Sequence, residues 1–447
     1  MRFSSLVLLL VGCSLADSGP LESPSCSLLV SGSGFPAPGG ASDFDDPGSP
    51  LTLESALSRA KSGALSVLLA ESRAQEAQGR ADVLAASKYP KLRLGLGRSN
   101  YEGLAQATNG VFLDVNRRSA AAGLGLILAY RPGEAVFRFA AASARAQAAE
   151  SRTQAARLQV RFEVAATFLS LHAAEGEVTS SLSAVEHAQA LENWVRERVA
   201  QGAALAADAR RAGAFRAEAE SRLAGAMEDR ITASVELGRL LRLPGPHPLA
   251  IQEPGPPRER FLLPLGEQLS QAAAVRPDLA AARKEVAAAG HATDAETWGW
   301  LLPTLELEAL QGEFGPGFDD MEGRTLYGGT VSWDLGFDKA ARARTALAKE
   351  RSRSLEYRAL ADAVAAEVEA ARAAVLAGEV IWKASAEEED AARASLSVAE
   401  DRFQAGASLL VEVLDAQRAL SEARVRNIRA EAGLHLAKVA LRISMGS

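Results

Sequence analysis

Histidine and cysteine are the residues that would most readily build a metal site or a catalytic centre in this chain. The sequence contains His172, His187, His247, His291, His435, Cys13 and Cys26. The intervals between them do not match the short spacings of zinc ligands. No nucleophile elbow, phosphate-binding loop or dinucleotide fingerprint occurs, because the nearest candidate, Gly95-Leu96-Gly97, lacks a third glycine and a following helix. The sequence therefore predicts no metal, no cofactor and no enzymatic activity.

The composition indicates long helices rather than a large compact core. Ala, Glu, Arg and Leu recur over long stretches, and aromatic residues make up only 5% of the chain. The formal net charge is -7 with both signs mixed along the helical segments, so nucleic acid is not an expected partner. Because no apolar run reaches about eighteen residues, entry into a bilayer would need strands or a lipid instead of a helix.

The N-terminus has the pattern of an export signal. Met1 and Arg2 precede an apolar run from Leu6 to Val11, and Gly12 and Cys13 follow. The segment 10–13 resembles the lipobox of bacterial lipoproteins, in which the cysteine carries the acyl chains, palmitate among them. We therefore expect a signal peptide at 1–12, lipid attachment at Cys13 and a flexible tether over 13–50, with simple cleavage and an inert Cys13 as the alternative.

From Leu51 onward the chain consists of two halves with the same order of elements, 51–262 and 263–447. Each half is predicted to run helix, strand, loop, strand, very long helix, turn and long helix. The segment Arg-Val-Ala-Gln-Gly-Ala-Ala-Leu at 198–205 matches Arg-Phe-Gln-Ala-Gly-Ala-Ser-Leu at 402–409. The matching segments place equivalent turns at Gly202 and Gly406.

The predicted long helices lie at about 134–201, 205–241, 337–404 and 409–444. The longest would extend on the order of 100 Å at 1.5 Å per residue, which no compact domain accommodates. Apolar residues recur every three or four positions with charges between them, as in helices packed side by side. A plain cytoplasmic coiled coil would show the same pattern.

Four short segments with alternating apolar residues distinguish these possibilities. They are predicted as strands at about 90–98, 122–131, 303–311 and 325–336, each of the length that a tilted strand needs to cross an outer membrane. Aromatic residues are expected near the strand ends, at Tyr89, Tyr130, Tyr327 and Trp333. The connections 99–121 and 312–324 are predicted as polar loops.

The number of strands has a consequence for assembly. Four strands cannot close a pore, so the pattern requires an oligomer if the sheet spans a membrane. A soluble, half-buried sheet is the alternative.

The motifs in this order resemble those of the TolC-like outer-membrane efflux proteins, of the lipoprotein type. The segment 51–57, Leu-Thr-Leu-Glu-Ser-Ala-Leu, is similar to the family's first short helix, and 300–305 is similar to its entrance to the third strand. The most specific match is the run from Arg402 to Gln417, which resembles the family's turn and return helix. The resemblance covers about 51–445.

This resemblance implies a fold class and a function. The fold would be mainly α with a small β part, a duplicated unit of long helical hairpins, in a homotrimer with a twelve-stranded transmembrane barrel above a periplasmic tunnel. The protein would be the passive exit duct of a tripartite efflux pump or a type I secretion system, anchored in outer-membrane lipid. Its partners would be a periplasmic adaptor and an inner-membrane transporter. The alternative function is that of a periplasmic adaptor or coiled-coil structural protein of such a system.

The resemblance also implies two sites. Adaptor docking would use the hairpin tips, with bare turns as the alternative. The tip residues are Arg198, Gln201, Gly202, Ala203, Leu205, Arg402, Gln404, Gly406, Ala407 and Leu409. A periplasmic gate would use rings of carboxylates, for which the candidates are Glu387, Asp390, Glu400 and Asp401. A solvated helix face is the alternative for each carboxylate.

Overall fold

The computed structural model describes residues 50–106, 108, 110–243, 248–255 and 263–446. The predicted signal peptide, the lipid site at Cys13 and nearly all of the predicted tether lie outside these residues. Within them, no helix has both the length and the apolar composition needed to span a bilayer.

Eight α-helices and four strands form the described chain. The helices are α1 (Leu53–Gly63), α2 (Leu65–Ala86), α3 (Pro132–Ala200), α4 (Ala206–Leu241), α5 (Leu265–Val275), α6 (Pro277–Thr297), α7 (Lys339–Gln404) and α8 (Leu410–Ser444). A short 3-10 turn at Gly299–Leu301 joins α6 to the third strand. Since α3 has 69 residues and α7 has 66, each extends about 100 Å at 1.5 Å per residue.

Helix α3 is the centre of the helical layer. Its N-terminal half pairs with α2 and α6, as in the ion pairs Arg157–Glu71 at 2.8 Å and Arg152–Glu285 at 2.8 Å. Its C-terminal half packs against α4 and α8. Larger apolar side chains such as Val164, Phe168 and Leu237 fill the buried contacts together with alanines such as Ala56 and Ala60, whose small side chains let the backbones approach closely.

The four strands form one antiparallel sheet in the order β1-β2-β3-β4. Their bounds are β1 (Lys91–Gln106), β2 (Phe112–Tyr130), β3 (Thr304–Gly317) and β4 (Asp320–Ser332). The prediction of polar loops at 99–121 and 312–324 was wrong. Most of these residues continue the two hairpins as paired strands, because cross-strand hydrogen bonds do not require an apolar face. Strand β4 also ends at Ser332, before the predicted end at 336.

Candidate channel wall and helix tips

One face of the sheet is mainly apolar, as the alternation predicts, although Gln311 lies directly across from Leu124 and Thr325, and Glu313 directly across from Ala122, on this same face. Residues paired directly across neighbouring strands share a face, and the pairs Leu92–Leu126, Leu94–Leu124 and Leu128–Leu307 all lie on this one. It is exposed, with Leu94 at 79%. Along β2 the band from Ala122 to Tyr130 measures about 27 Å at 3.4 Å per residue, or about 20 Å high for a strand tilted by about 40°.

Aromatic residues gather at the helical end of this band. Tyr89, Tyr130 and Trp333 lie at or next to strand ends, and Trp298 and Trp300 directly precede β3. The predicted position of Tyr327 at a strand end was wrong, because the residue lies inside β4 opposite Ala309. The strand continues to Asp320, which moves Tyr327 into the middle of the apolar face.

Within the part of the chain that the structure describes, both edges of the sheet and one edge of the helical layer have no neighbouring strand or helix. Among the described strands, β1 and β4 are paired on one side only. Helix α7 packs through Val364, Val368 and Val375 on one side. On another side an exposed apolar stripe runs along the helix, centred about 120° around the axis from the packed valines, and its residues fall within about 80° of one another at 3.6 residues per turn. The stripe residues are Leu347, Leu355, Leu376, Val380 and Val398.

The two helix tips have the same backbone geometry. In the first, the N–H of Ala203 donates to the carbonyl of Arg198 at 2.8 Å, and Gly202 has φ of 75°. In the second, the N–H of Ala407 donates to the carbonyl of Arg402 at 2.8 Å, and Gly406 has φ of 72°. This is the Schellman arrangement, which satisfies the last helical carbonyls and favours glycine at the left-handed position.

The glycines at the tips give a test of this geometry. We expect Gly202→Ala and Gly406→Ala each to cost about 1 kcal/mol, since a Cβ disfavours a positive φ. Gly225→Ala in α4 is the control and should raise stability by about 0.5–1 kcal/mol, because alanine is the better helix former. Thermal unfolding in detergent measures both; equal shifts for all three variants would contradict the prediction.

Aromatic contact brings the two tips together. The rings of Trp194 and Phe403 are 5.0 Å apart at an interplanar angle of 56°, and the guanidinium of Arg198 lies over Trp194 at 4.8 Å. Leu205 and Leu409 begin the return helices and are each 71% exposed. The two tips therefore lie side by side. Trp194 was missed because it lies before the motif that the two halves share.

The four predicted gate carboxylates do not all share one side of α7. At 3.6 residues per turn, Glu387, Asp390 and Asp401 fall on the side of the exposed stripe, whereas Glu400 falls on the packed side and is half-buried. Asp390 pairs with Arg393 of its own helix at 3.2 Å. The neighbouring Glu388 instead pairs with Arg426 of α8 at 2.8 Å, so it joins the two helices.

The histidines do not form a metal site in the described residues, where no cluster of potential ligands occurs. His435 of α8 is half-buried, hydrogen-bonds the backbone of Gly255, and faces His172 and Lys438. Burial is the main cause that lowers the pKa of His435 below its ordinary value of 6.5. Burial likewise raises the pKa of Glu431 one turn earlier.

These shifts have opposite consequences for stability. A lowered histidine pKa means that the fold favours the neutral ring, so this contribution is present above pH 6.5 and is lost as the pH falls through the lower, folded value. The raised pKa of Glu431 means that the fold favours the protonated carboxyl group, so this contribution is present below pH 4.5 and is lost as the pH rises through the higher, folded value. We expect His435→Gln to flatten the fall of the unfolding temperature between about pH 7 and pH 5. Parallel pH profiles for the wild type and this variant would contradict the prediction.

Comparisons with known proteins agree with this architecture. Residues 268–447 match the model of the outer membrane efflux protein family. The fold is similar to that of VceC from Vibrio cholerae, with a TM-score of 0.76 and 19% identity over 88% of this chain and 96% of that chain. The CmeC outer membrane channel of Campylobacter jejuni gives a TM-score of 0.76 and 16% identity over 97% and 95%.

The MtrE outer membrane channel of Neisseria gonorrhoeae, solved in its open state, gives a TM-score of 0.76 and 19% identity over 88% of this chain and 89% of that chain. The comparison with curated proteins found no match. The resemblance and fold class predicted from the motifs are confirmed: the chain has the fold of the TolC-like outer-membrane channels, and its residues 268–447 match the outer membrane efflux protein family.

Proposed function

We propose that this chain is one third of a trimeric outer-membrane channel that serves as the exit duct of an efflux pump or a type I secretion system. The observation that carries the proposal is the coincidence of unpaired edges in the sheet and the helical layer. A sheet that crosses a bilayer must pair every backbone group, so β1 and β4 require strands from other copies.

Closure follows from the arrangement of these edges. The β1 edge of one copy would pair with the β4 edge of the next, a head-to-tail contact that forms a ring when the rotation closes. Three copies give twelve strands, an even number within the range of outer-membrane barrels. In the same ring the stripe on α7 would cover the opposite edge of the helical layer, where Val83 of α2 and Ile231 and Val235 of α4 are exposed.

The remaining features support the cellular setting. An export signal followed by acylation at Cys13 would deliver the chain to the periplasmic side of the outer membrane and anchor it there. The apolar band would then enter the lipid, and the helices would extend about 100 Å into the periplasm. The lipid anchor adds to the membrane affinity of the barrel and need not hold the protein alone.

Passive passage is the mechanism that the architecture favours. The tip surface with Leu205 and Leu409 would bind a periplasmic adaptor, and the inner-membrane transporter would choose the substrate and supply the energy. Glu387, Asp390 and Asp401 would form the acidic gate, since they share one side of α7. Carboxylate rings of this kind favour cations.

The assembly is tested by fractionating the cell envelope, extracting the outer membrane in mild detergent and measuring the mass of the complex. We expect an acylated trimer in the outer-membrane fraction that conducts ions in planar bilayers. Recovery of a soluble periplasmic monomer would contradict the channel and would favour the adaptor function.

Adaptor docking is tested at the tips with Leu205→Asp and Leu409→Asp. Both leucines are 71% exposed and are the N-cap residues of α4 and α8, where aspartate is a preferred residue, so the variants should keep the fold and gain about 0.5–2 kcal/mol of helix stability. A leucine buried in the complex would lose about 2 kcal/mol or more of binding, which weakens adaptor affinity at least about thirtyfold. Leu104→Asp, at the far end of β1, is the control and should leave the affinity unchanged. Unaltered binding by both tip variants would exclude these tips as the docking site.

A further inference from the structure

Two arginines lie on the sheet face that is opposite the mainly apolar one. Residues that pair directly across the four strands are called a row. The register places Arg93 of β1 in one row with Gly125, Leu310 and Leu326. Arg324 of β4 lies in the next row, with Gly95, Gly123 and Gly312. In the proposed channel this face surrounds the lumen, since the apolar face meets lipid.

The floor between the two arginines is rich in glycine, and the cleft is also lined by Leu310, Glu313, Phe314 and Leu326. Gly95, Gly97, Gly123 and Gly312 leave a shallow cleft of about 370 Å³, and Arg93 and Arg324 both line it. Close packing also requires glycine at position 312, because a Cβ on Gly312 would lie 2.3 Å from the carbonyl oxygen of Ala122. The cleft therefore keeps both guanidinium groups accessible from the lumen.

The two rows contain no carboxylate. Phe314, in the row beyond Arg324, has its ring 5.4 Å from that guanidinium, a cation–π contact that restrains the side chain without neutralising it. Among the described residues, no carboxylate oxygen lies within ion-pair distance of Arg93 or Arg324. The nearest carboxylates on this face lie in the adjoining rows, where Glu308 is in the row of Lys91 and Glu322 is in the row of Phe314, and Glu306 lies one row beyond Glu308.

We propose that Arg93 and Arg324 form a cationic belt, repeated in each protomer around the barrel lumen, that attracts anionic solutes and binds them transiently during passage. This inference rests on the proposed function, because the belt exists only when the sheet closes. The four rows from Lys91 to Glu322 hold three cations and two carboxylates, so their net charge is positive. Without the two arginines it becomes negative.

The dimensions of a twelve-stranded barrel make the belt effective. Strands about 4.8 Å apart and tilted by about 40° give a backbone radius of about 12 Å. The guanidinium groups project inward from the backbone, so they approach the axis to within about one Debye length at physiological ionic strength, about 8 Å. A solute in transit cannot avoid their field. Arginine also offers a planar fork that fits carboxylate, sulfonate and phosphate groups.

Reversal potentials of the full-length channel in planar bilayers under a KCl gradient test the proposal. We expect the double variant Arg93→Gln/Arg324→Gln to lower the chloride-to-potassium permeability ratio about threefold or more, because local counter-ion concentration follows the local potential. Arg98→Gln is the matched control, since Arg98 lies on the same strand but on the opposite face. Its ratio should equal that of the wild type.

A charge-retaining variant separates charge from geometry. Arg93→Lys/Arg324→Lys should keep the wild-type permeability ratio but weaken the block by inorganic pyrophosphate about tenfold, because an ammonium group lacks the bidentate fork. An unchanged ratio in the glutamine variant, or an equal shift in Arg98→Gln, would overturn the belt while leaving the channel intact. Absence of any pore in the wild type would instead overturn the proposed function, and the belt with it.

Discussion

Leu126→Arg should abolish the trimer in the outer membrane. Leu126 lies in the middle of the apolar face, in one row with Leu92, Ala309 and Tyr327. An arginine that faces lipid near the bilayer midplane costs about 2–4 kcal/mol, and a trimer contains three of them, or about 6–12 kcal/mol in all. This approaches the whole stability of a typical protein. The measurement is the amount of trimer recovered from outer membranes.

Ile127→Arg is the matched control for this prediction. The neighbouring residue lies on the other face, directly opposite Glu308 in β3 and Lys91 in β1, where an added guanidinium meets the proposed lumen and a carboxylate. We expect a normal yield of trimer for this variant. If Leu126→Arg assembled as well as Ile127→Arg, the leucine face would not meet lipid, and the alternative of a soluble sheet would return.

Val380→Asp should prevent association of the protomers without unfolding them. Val380 is 68% exposed and lies in the stripe on α7, about 120–160° around the helix axis from Val364, Val368 and Val375 at 3.6 residues per turn. A carboxylate buried there without a partner would cost about 3 kcal/mol or more at each of three equivalent interfaces. The expected loss of about 9 kcal/mol corresponds to about six orders of magnitude in the association constant. The mass of the detergent-extracted protein shows whether it is a trimer or a monomer.

Two observations would show whether the stripe is responsible. Val380→Leu keeps the site apolar and should leave the trimer intact. The monomer formed by Val380→Asp should retain the helical content of the wild type, because the residue is exposed within one chain. A stable Val380→Asp trimer would mean that α7 does not meet the next copy through this side.

The helical architecture was predictable because its signals are local. Four long helices were predicted from the lack of proline inside the long segments, the periodic apolar residues and the glycines at the tips. Their observed ends differ from the predicted ends by only a few residues and lie at Ala200, Leu241, Gln404 and Ser444. A Schellman turn depends on a few consecutive residues, so the repeated sequence gave the repeated geometry at Gly202 and Gly406.

Strand lengths were less predictable because only part of each hairpin has an apolar face. Alternation of leucine identified Leu92–Leu96 and Leu124–Leu128, but beyond them both faces are polar, and the residues resemble a loop. Pairing such as Ser99 with Ser119 and Tyr101 with Arg117 depends on backbone hydrogen bonds between segments that the sequence does not align.

By itself the sequence therefore determined the helices, the tips, the face of the sheet that carries leucine and the resemblance to outer-membrane channels. Tertiary structure decided which distant residues share a row, a side or an edge. Arg93 and Arg324 meet one cleft only because β1, β2, β3 and β4 pair in one register, and Glu400 is half-buried while Glu387 is exposed only because α7 packs through one side. Local preferences act over one or two turns, whereas register and packing side depend on contacts between residues hundreds of positions apart.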